Sequence, residues 1–460
     1  MSFLIFAVLS ALADCANVKY FQRELERISV NIVEARRLTL RASFGLVALV
    51  VPFLGSTGSV FFFLFLSLVI TLVNPKMHVF MLLATVPDRK SEVLIKPLAL
   101  TLSLTALCIF SVVSSLPLYV VSDVIIIVTL AEVLAVLFES YGGLTSSLIF
   151  IVSGGFFGLL VGGAAAAFTN VSTSADFLLF VATIGAIVGA LLRTILHDIE
   201  ENVVVPLGIG FAIWLFVGVD YSVPVLRLLL TLLFMILIGY ALGRVRLADV
   251  SGVLSGILMG LLIVSFTDFR WFVLILSFFV IGGIFTKYKY DYKRAIGIAQ
   301  EGGGARGYSN VFGNGLAALV CAIAFGITGN ALFVVAYIGA VATATGDTLA
   351  SEIGQTHKRL PRLITDLRRV PHGTDGGITT LGEYSALAGA GAIAIIGIAL
   401  GLGTLSMMVP VILGGFFGAN FDSILGAVLE RRHYLTNSSV NFLATAAGAI
   451  AAVIIYLLLL

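Results

Sequence analysis

Apolar residues run through the chain in blocks long enough to cross a bilayer, which takes about 20 apolar residues per helix, with short glycine-rich or charged interruptions between them. The blocks lie at roughly 1–16, 40–55, 57–73, 97–117, 118–139, 147–168, 176–196, 204–219, 221–243, 250–267, 270–286, 308–330, 331–352, 383–403, 405–428 and 441–460. They predict an all-α polytopic membrane protein of about 16 helices, or 14 if the short pair 40–73 does not form two separate spans. A transmembrane β-barrel alternates inward and outward residues. Runs such as Val124-Ile125-Ile126-Ile127-Val128 are apolar on every face, so the chain is read as helical. The first block lacks a basic leading segment and a clear cleavage site, and is read as a helix, not a signal peptide.

Composition sharpens the class. Of 460 residues, 59% are hydrophobic and 11% charged, against about 25% charged in soluble domains. A cytosolic enzyme, a nucleic-acid binder and a disordered chain are excluded. Glycine, at 48 residues, suits close helix packing in lipid. Cys15, Cys108 and Cys321 lie far apart and read as buried thiols. The five histidines are too scattered for a transition-metal site.

The net charge of +2 hides an asymmetry. Loops 17–41, 74–96, 197–203, 244–249, 287–307, 353–382 and 429–440 are separated by even numbers of helices and share one face. All basic residues except Arg193, Arg227 and Arg270 fall in them. The positive-inside rule then predicts a cell-membrane protein with the 287–307, 353–382 and 429–440 loops in the cytoplasm.

Polar chemistry collects after residue 285. Lys287-Tyr288-Lys289-Tyr290-Asp291-Tyr292-Lys293-Arg294 precedes Glu301-Gly302-Gly303-Gly304-Ala305-Arg306, with Asn310 and Asn314 at helical spacing beyond. Such a run can simply set topology, or its glycines can form a backbone nest for phosphate. No GxxxxGK[ST] loop occurs. Thr343, Asp347 and Ser351 recur every four residues on one helix face. An acid at the bilayer centre costs roughly 3 kcal/mol, and such acids usually line a functional cavity. Lys358, Arg359, Arg362, Arg368 and Arg369 crowd the loop leading to Pro371-His372-Gly373-Thr374-Asp375-Gly376-Gly377, a turn able to approach a ligand closely. Lipid headgroups are the bland alternative for those cations. Gly414, Gly418, Asp422 and Gly426 recur at steps of four, a packing seam with one acid in it.

Acids at helix ends among cations suit phosphoryl transfer, in which Mg²⁺ bridges carboxylates and phosphate oxygens. Asp347, Asp375 and Asp422 are the candidate Mg²⁺ ligands. Asp347, Asp375 and Lys358 are the candidate catalytic residues. Lys293, Arg306, Asn314, Arg359, Arg362, Arg368 and Arg369, with Gly373, Thr374, Gly376 and Gly377, are candidates for holding a nucleoside triphosphate, CTP or ATP.

Residues 222–445 resemble the integral-membrane family that includes plant phytyl-phosphate kinase and animal transmembrane protein 19. The resemblance rests on Gly252-Val253-Leu254-Ser255-Gly256, Phe278-Phe279, Thr286-Lys287 with Lys293, Asn314-Gly315, Gly346-Asp347-Thr348-Leu349-Ala350-Ser351-Glu352-Ile353-Gly354 and Pro361-Arg362-Leu363-Ile364-Thr365. It continues through Val370-Pro371-His372-Gly373-Thr374-Asp375-Gly376-Gly377 with Gly382, Asp422-Ser423-Ile424-Leu425-Gly426-Ala427, Asn437 and Asn441. The N-terminal half faintly resembles the dolichol and phytol kinase family through Ala35-Arg36-Arg37-Leu38 and Glu200-Glu201-Asn202-Val203-Val204-Val205-Pro206-Leu207. Ala131-Glu132-Val133-Leu134-Ala135 stands where those kinases carry a Gly-Asp metal motif, so this half resembles a degenerate copy.

The expected organisation is therefore an N-terminal membrane half, 1–220, and a C-terminal domain, 221–460, carrying the phosphate and metal motifs, the two being distant repeats. The resemblance implies a kinase converting a prenyl monophosphate to the diphosphate with a nucleoside triphosphate and Mg²⁺. Cytidylyl transfer from CTP to a lipid phosphate, and transport of phosphorylated or lipidic anions, remain alternatives. The expected partners are the prenyl phosphate and membrane lipids, with no nucleic acid; a homodimer is left open.

Overall fold

The computed structural model describes residues 32–72, 95–114, 116–196, 199–219, 221–300 and 304–459. The predicted helix 1–16, Cys15 and the basic stretch 74–94 lie outside them. The chain divides into two compact units, residues 1–225 and 226–460. Among the described residues, 12 helices are long and apolar enough to cross a membrane, and Glu201–Val217 and Val250–Phe266 are shorter apolar helices. The fold is all-helical but for one pair of two-residue strands.

The expectation of about 16 spans is thus not met. One predicted helix lies outside the described residues. The predicted pair 40–55 and 57–73 forms a single element, Val47–Leu72, broken at Gly55 where φ is +68°. The piece before that break is far short of the ~20 residues a separate crossing needs.

The first unit contains α1 (Ile32–Phe44), α2 (Val47–Leu72), α3 (Ile95–Ser114), α4 (Leu118–Leu137), α5 (Gly143–Phe168), α6 (Ala175–Ile195) and α7 (Ile199–Val217). Helix α4 is mostly buried and passes through one π-helical turn, Ile127–Ala131. There the Arg41 Nε donates to the Val128 carbonyl at 3.2 Å. Just beyond it the buried Glu132 meets Arg193 of α6 through two oxygens, at 2.6 Å from Nε and 2.9 Å from Nη2. The acid in the Ala131-Glu132-Val133 string is therefore held in a buried ion pair. Earlier on α4, Asp123 is fully buried, with neither carboxylate oxygen hydrogen-bonded.

The second unit contains α8 (Val225–Arg244), α9 (Val250–Phe266), α10 (Phe269–Lys287), the short α11 (Tyr290–Ala295), α12 (Tyr308–Thr328), α13 (Leu332–Gly354), α14 (Thr380–Ala399), α15 (Met408–Val428) and α16 (Asn437–Leu459). Helix α13 is the pillar, packed against α10, α12, α14, α15 and α16. Its small residues allow this: a Cβ at Gly346 would stand 3.0 Å from the Ala386 carbonyl oxygen of α14. Tyr337 anchors its far end by donating to the Trp271 carbonyl at 2.6 Å.

At the opposite end of α13, Lys293 reaches Glu352. The ammonium lies 2.5 Å from Glu352 Oε2 and also donates to the carbonyls of Thr286 at 2.7 Å and Phe285 at 3.4 Å. Its three protons are spent, and both side chains are buried. Gln300 donates to the other Glu352 oxygen at 2.8 Å. This knot ties the 287–300 segment to the helix that carries Asp347.

Removing one partner of a buried pair strands the other charge, a loss of about 3–5 kcal/mol. Lys293→Met is expected to destabilise the protein by that order in detergent unfolding, and Lys293→Met combined with Glu352→Gln to recover most of it. Arg193→Met should behave likewise, with Glu132→Gln as its rescue. Single substitutions that unfold like wild type would show that neither pair bears on stability.

Candidate functional site

Five helices of the second unit end at one polar cavity of about 240 Å³. Helix α13 brings Asp347, Ser351 and Glu352, and the start of α14 brings Glu383. The C-terminal half of α15 brings Asn420 and Asp422, with Glu430 just beyond it. The first turns of α12 and α16 supply Asn310, Asn314, Asn437 and Asn441. Helix starts dominate because their free N–H groups and dipoles favour anions there.

The wall between α13 and α14 is the 355–379 loop, stiffened by β1 (Arg362–Leu363) paired antiparallel with β2 (Gly377–Ile378). Ile364 donates to the Gly376 carbonyl at 3.0 Å, and Thr374 Oγ1 to the Pro371 carbonyl at 2.8 Å. Gly376 takes φ +76°, and a Cβ on it would fall 2.5 Å from the Ala427 Cβ and 2.6 Å from the Ser423 carbonyl. Only glycine allows that turn to lie on α15, and the turn presents Asp375, with His372, Gly373, Thr374 and Gly377, to the cavity.

Asp347, Asp375 and Asp422 thus come together on one cavity from three parts of the chain, joined by Arg306, Asn314 and the glycine turn. Thr343, on the same face as Asp347 in the sequence pattern, does not: it is buried against α15 and α16, where Cβ atoms at Gly418 and Gly448 would clash with it. Lys293 is withdrawn into its pair with Glu352 and has no free proton for a phosphate.

The expected ring of cations is also not what lines the cavity. Lys358, Arg359, Arg362, Arg368 and Arg369 are exposed and absent from its wall. Arg368 pairs with Asp366 at 3.2 Å, and Arg362 reaches the Leu367 carbonyl at 3.4 Å. The loop doubles back through the strand pair, which turns the cations outward and leaves Pro361 and Ile378 on the cavity side.

What remains is a strongly acidic chamber. Asp347, Glu352, Asp375, Glu383, Asp422 and Glu430 face a single guanidinium, that of Arg306. Arg306 is buried over the faces of Phe278 and Phe279, at 5.1 and 5.5 Å. Burial pulls its guanidinium down to about 10, against the opposing pull of Glu352 and Asp347, so it stays charged at neutral pH. Its backbone is fixed by Leu247 and Asp249, with hydrogen bonds of 3.0 and 3.2 Å.

Glu383, Asn420 and Glu430 were not singled out by sequence. Glu383, which accepts from Asn420 at 3.1 Å, looks like an ordinary first-turn acid, and Glu430, bonded to Asn437, like an exposed charge beside Arg431 and Arg432. Asp422 Oδ2 and His372 Nδ1 are buried without a hydrogen-bond partner on this wall. Carboxylate oxygens of this number suit a hard divalent cation. Among the described residues, however, no three of these groups stand close enough to hold an ion by themselves.

The model of the family described as integral membrane protein DUF92 matches residues 233–449, inside the second unit. An uncharacterized membrane protein of Methanocaldococcus jannaschii is 34% identical over 238 residues, 52% of this chain and 98% of that protein. Protein PGR of Arabidopsis thaliana is 32% identical over 233 residues, 45% of this chain and 80% of its own. Protein VTE6, chloroplastic, of the same plant is 30% identical over 212 residues, 44% of this chain and 64% of its own. No solved structure matches the chain. A relative matched over nearly its whole length, together with the family model over the same unit, makes this chain a member of the integral membrane protein DUF92 family.

Proposed function

We propose that this protein transfers the terminal phosphoryl group of a nucleoside triphosphate, CTP or ATP, to a prenyl monophosphate, giving the prenyl diphosphate. The observation that carries the reading is the convergence of six carboxylates, one buried guanidinium and four helix-start asparagines on one cavity. The resemblance of residues 222–445 to the family that includes phytyl-phosphate kinase supports the substrate class. The skew of basic loops supports a cytoplasmic position for this end of the unit.

The acceptor is already an oxyanion, so no strong general base is required. Its oxygen forms a bond to the terminal phosphorus while the bond to the bridging oxygen breaks, and a nucleoside diphosphate leaves. The protein's part is positioning and charge. Arg306, fixed by backbone and aromatic contacts, supplies one permanent cation for the phosphates. Amide N–H groups of Asn310, Asn314, Asn437 and Asn441 can donate to phosphate oxygens without adding charge. Asp347, Asp375 and Asp422 are assigned to Mg²⁺, which would usually keep one or two protein carboxylates and take its other ligands from phosphate and water. When bound, that ion neutralises the repulsion between anionic substrates and an acidic wall. Lys358, Arg359, Arg362, Arg368 and Arg369, next in the chain to lining residues, are assigned to nucleotide phosphates at the mouth.

Purified protein with Mg²⁺, radiolabelled nucleoside triphosphate and a prenyl monophosphate should yield prenyl diphosphate. Asp347→Asn and Asp375→Asn are each expected to lower kcat/KM at least a hundredfold, and Lys358→Ala by no more than tenfold. Wild-type rates in both Asp variants would end the assignment. A CDP-lipid with released pyrophosphate would replace it by cytidylyl transfer.

A further inference from the structure

A second, apolar cavity of about 60 Å³ opens beside the polar one, formed by α8, α9, α10 and the first turn of α12. At that size it cannot hold a nucleotide, but it is narrow enough for a single hydrocarbon chain. Its direction follows from the helices. Leu242, Gly252 and Phe279 form the end level with Arg306, whereas Met235, Gly260 and Phe272 lie about two turns, or about 12 Å, deeper in the bundle.

The two cavities share a boundary. Arg306 lines the polar one, and its guanidinium rests on the ring of Phe279, which lines the apolar one. On α12, Asn310 faces the polar cavity and the next residue, Val311, the apolar one. A buried cation thus stands at the head of a groove with no other charge along its lining.

Gly256 gives the groove its shape. From Ser251 to Phe266 every residue is buried except Gly256. Its neighbours on the same face are glycine by necessity: a Cβ at Gly252 would lie 2.0 Å from the Arg306 carbonyl oxygen, and one at Gly260 would lie 2.5 Å from the Met235 sulfur. A Cβ at Gly256 would meet nothing within 4 Å. Helix packing does not require glycine there; an open groove does.

We infer that this groove holds the hydrocarbon chain of a lipid monophosphate whose head group lies against Arg306. The inference takes its head-group chemistry from the proposed phosphotransferase reading. Phosphate complements Arg306, and the flexible chain complements the uncharged walls; a chain longer than the groove runs on into the bilayer.

The test is photolabelling of the full-length protein in nanodiscs with geranylgeranyl monophosphate bearing a diazirine on its chain, with peptide mapping, alongside the turnover assay. Labelling is expected on α8, α9 and α10 around Gly256. It should fall in order through Gly256→Ala, Gly256→Val and Gly256→Leu, at least tenfold in the last, while thermal unfolding changes little. Should Gly256→Leu fail to fold, the wild-type map and the Gly256→Ala and Gly256→Val steps still decide. Label mapped elsewhere, or unchanged across the series, overturns the groove. Correct labelling in a protein that turns over no nucleotide would retain the groove and remove the kinase; turnover with labelling indifferent to Gly256 would do the reverse.

Discussion

The organisation of the second unit turns on one electrostatic problem: six carboxylates gathered at the end of a membrane bundle with one guanidinium to answer them. Like charges in a low-dielectric setting repel strongly, and a fold selected for stability alone would keep them apart. The structure commits rigid elements to holding them together. Helix α13 carries two of the acids from the middle of the bundle, and a glycine turn pinned by a strand pair carries a third. Such a chamber becomes reasonable once its usual contents include cations.

That view separates two kinds of charge in the same region. The Lys293–Glu352 contact is internally satisfied and fastens the 287–300 segment to α13. Asp422, by contrast, keeps a buried oxygen without a partner. The first unit repeats the distinction on a smaller scale. Glu132 is answered by Arg193, while Asp123 on the same helix has no hydrogen-bond partner. An ion pair at the position of the suspected degenerate motif suits a structural role for that acid.

Much of the helical plan was legible because hydrophobic block length is set by bilayer thickness, a constraint local in sequence. The exceptions are informative. Gly55 ends one apolar block and starts another, which reads as a turn between spans, but its left-handed backbone only kinks a single element. Asp347, Asp375 and Asp422 were visible as acids in apolar or glycine-rich settings, where a charge needs a reason. Glu383 and Glu430 were not, since each sits where a helix end tolerates an acid. The cations misled most. A run of Arg and Lys tells how many charges a loop has, not which way they point: β1 and β2 turn five of them outward, and Lys293 is claimed by an acid 59 positions away.

The central claim is that the acidic chamber exists to hold a divalent cation together with phosphate. Electron paramagnetic resonance of Mn²⁺ with the purified protein tests it directly. Saturable binding should appear, at least tenfold tighter when CTP or ATP is present, and both Asp347→Asn and Asp422→Asn should weaken it at least tenfold. No saturable Mn²⁺ signal with either nucleotide, or one indifferent to both substitutions, would contradict the account.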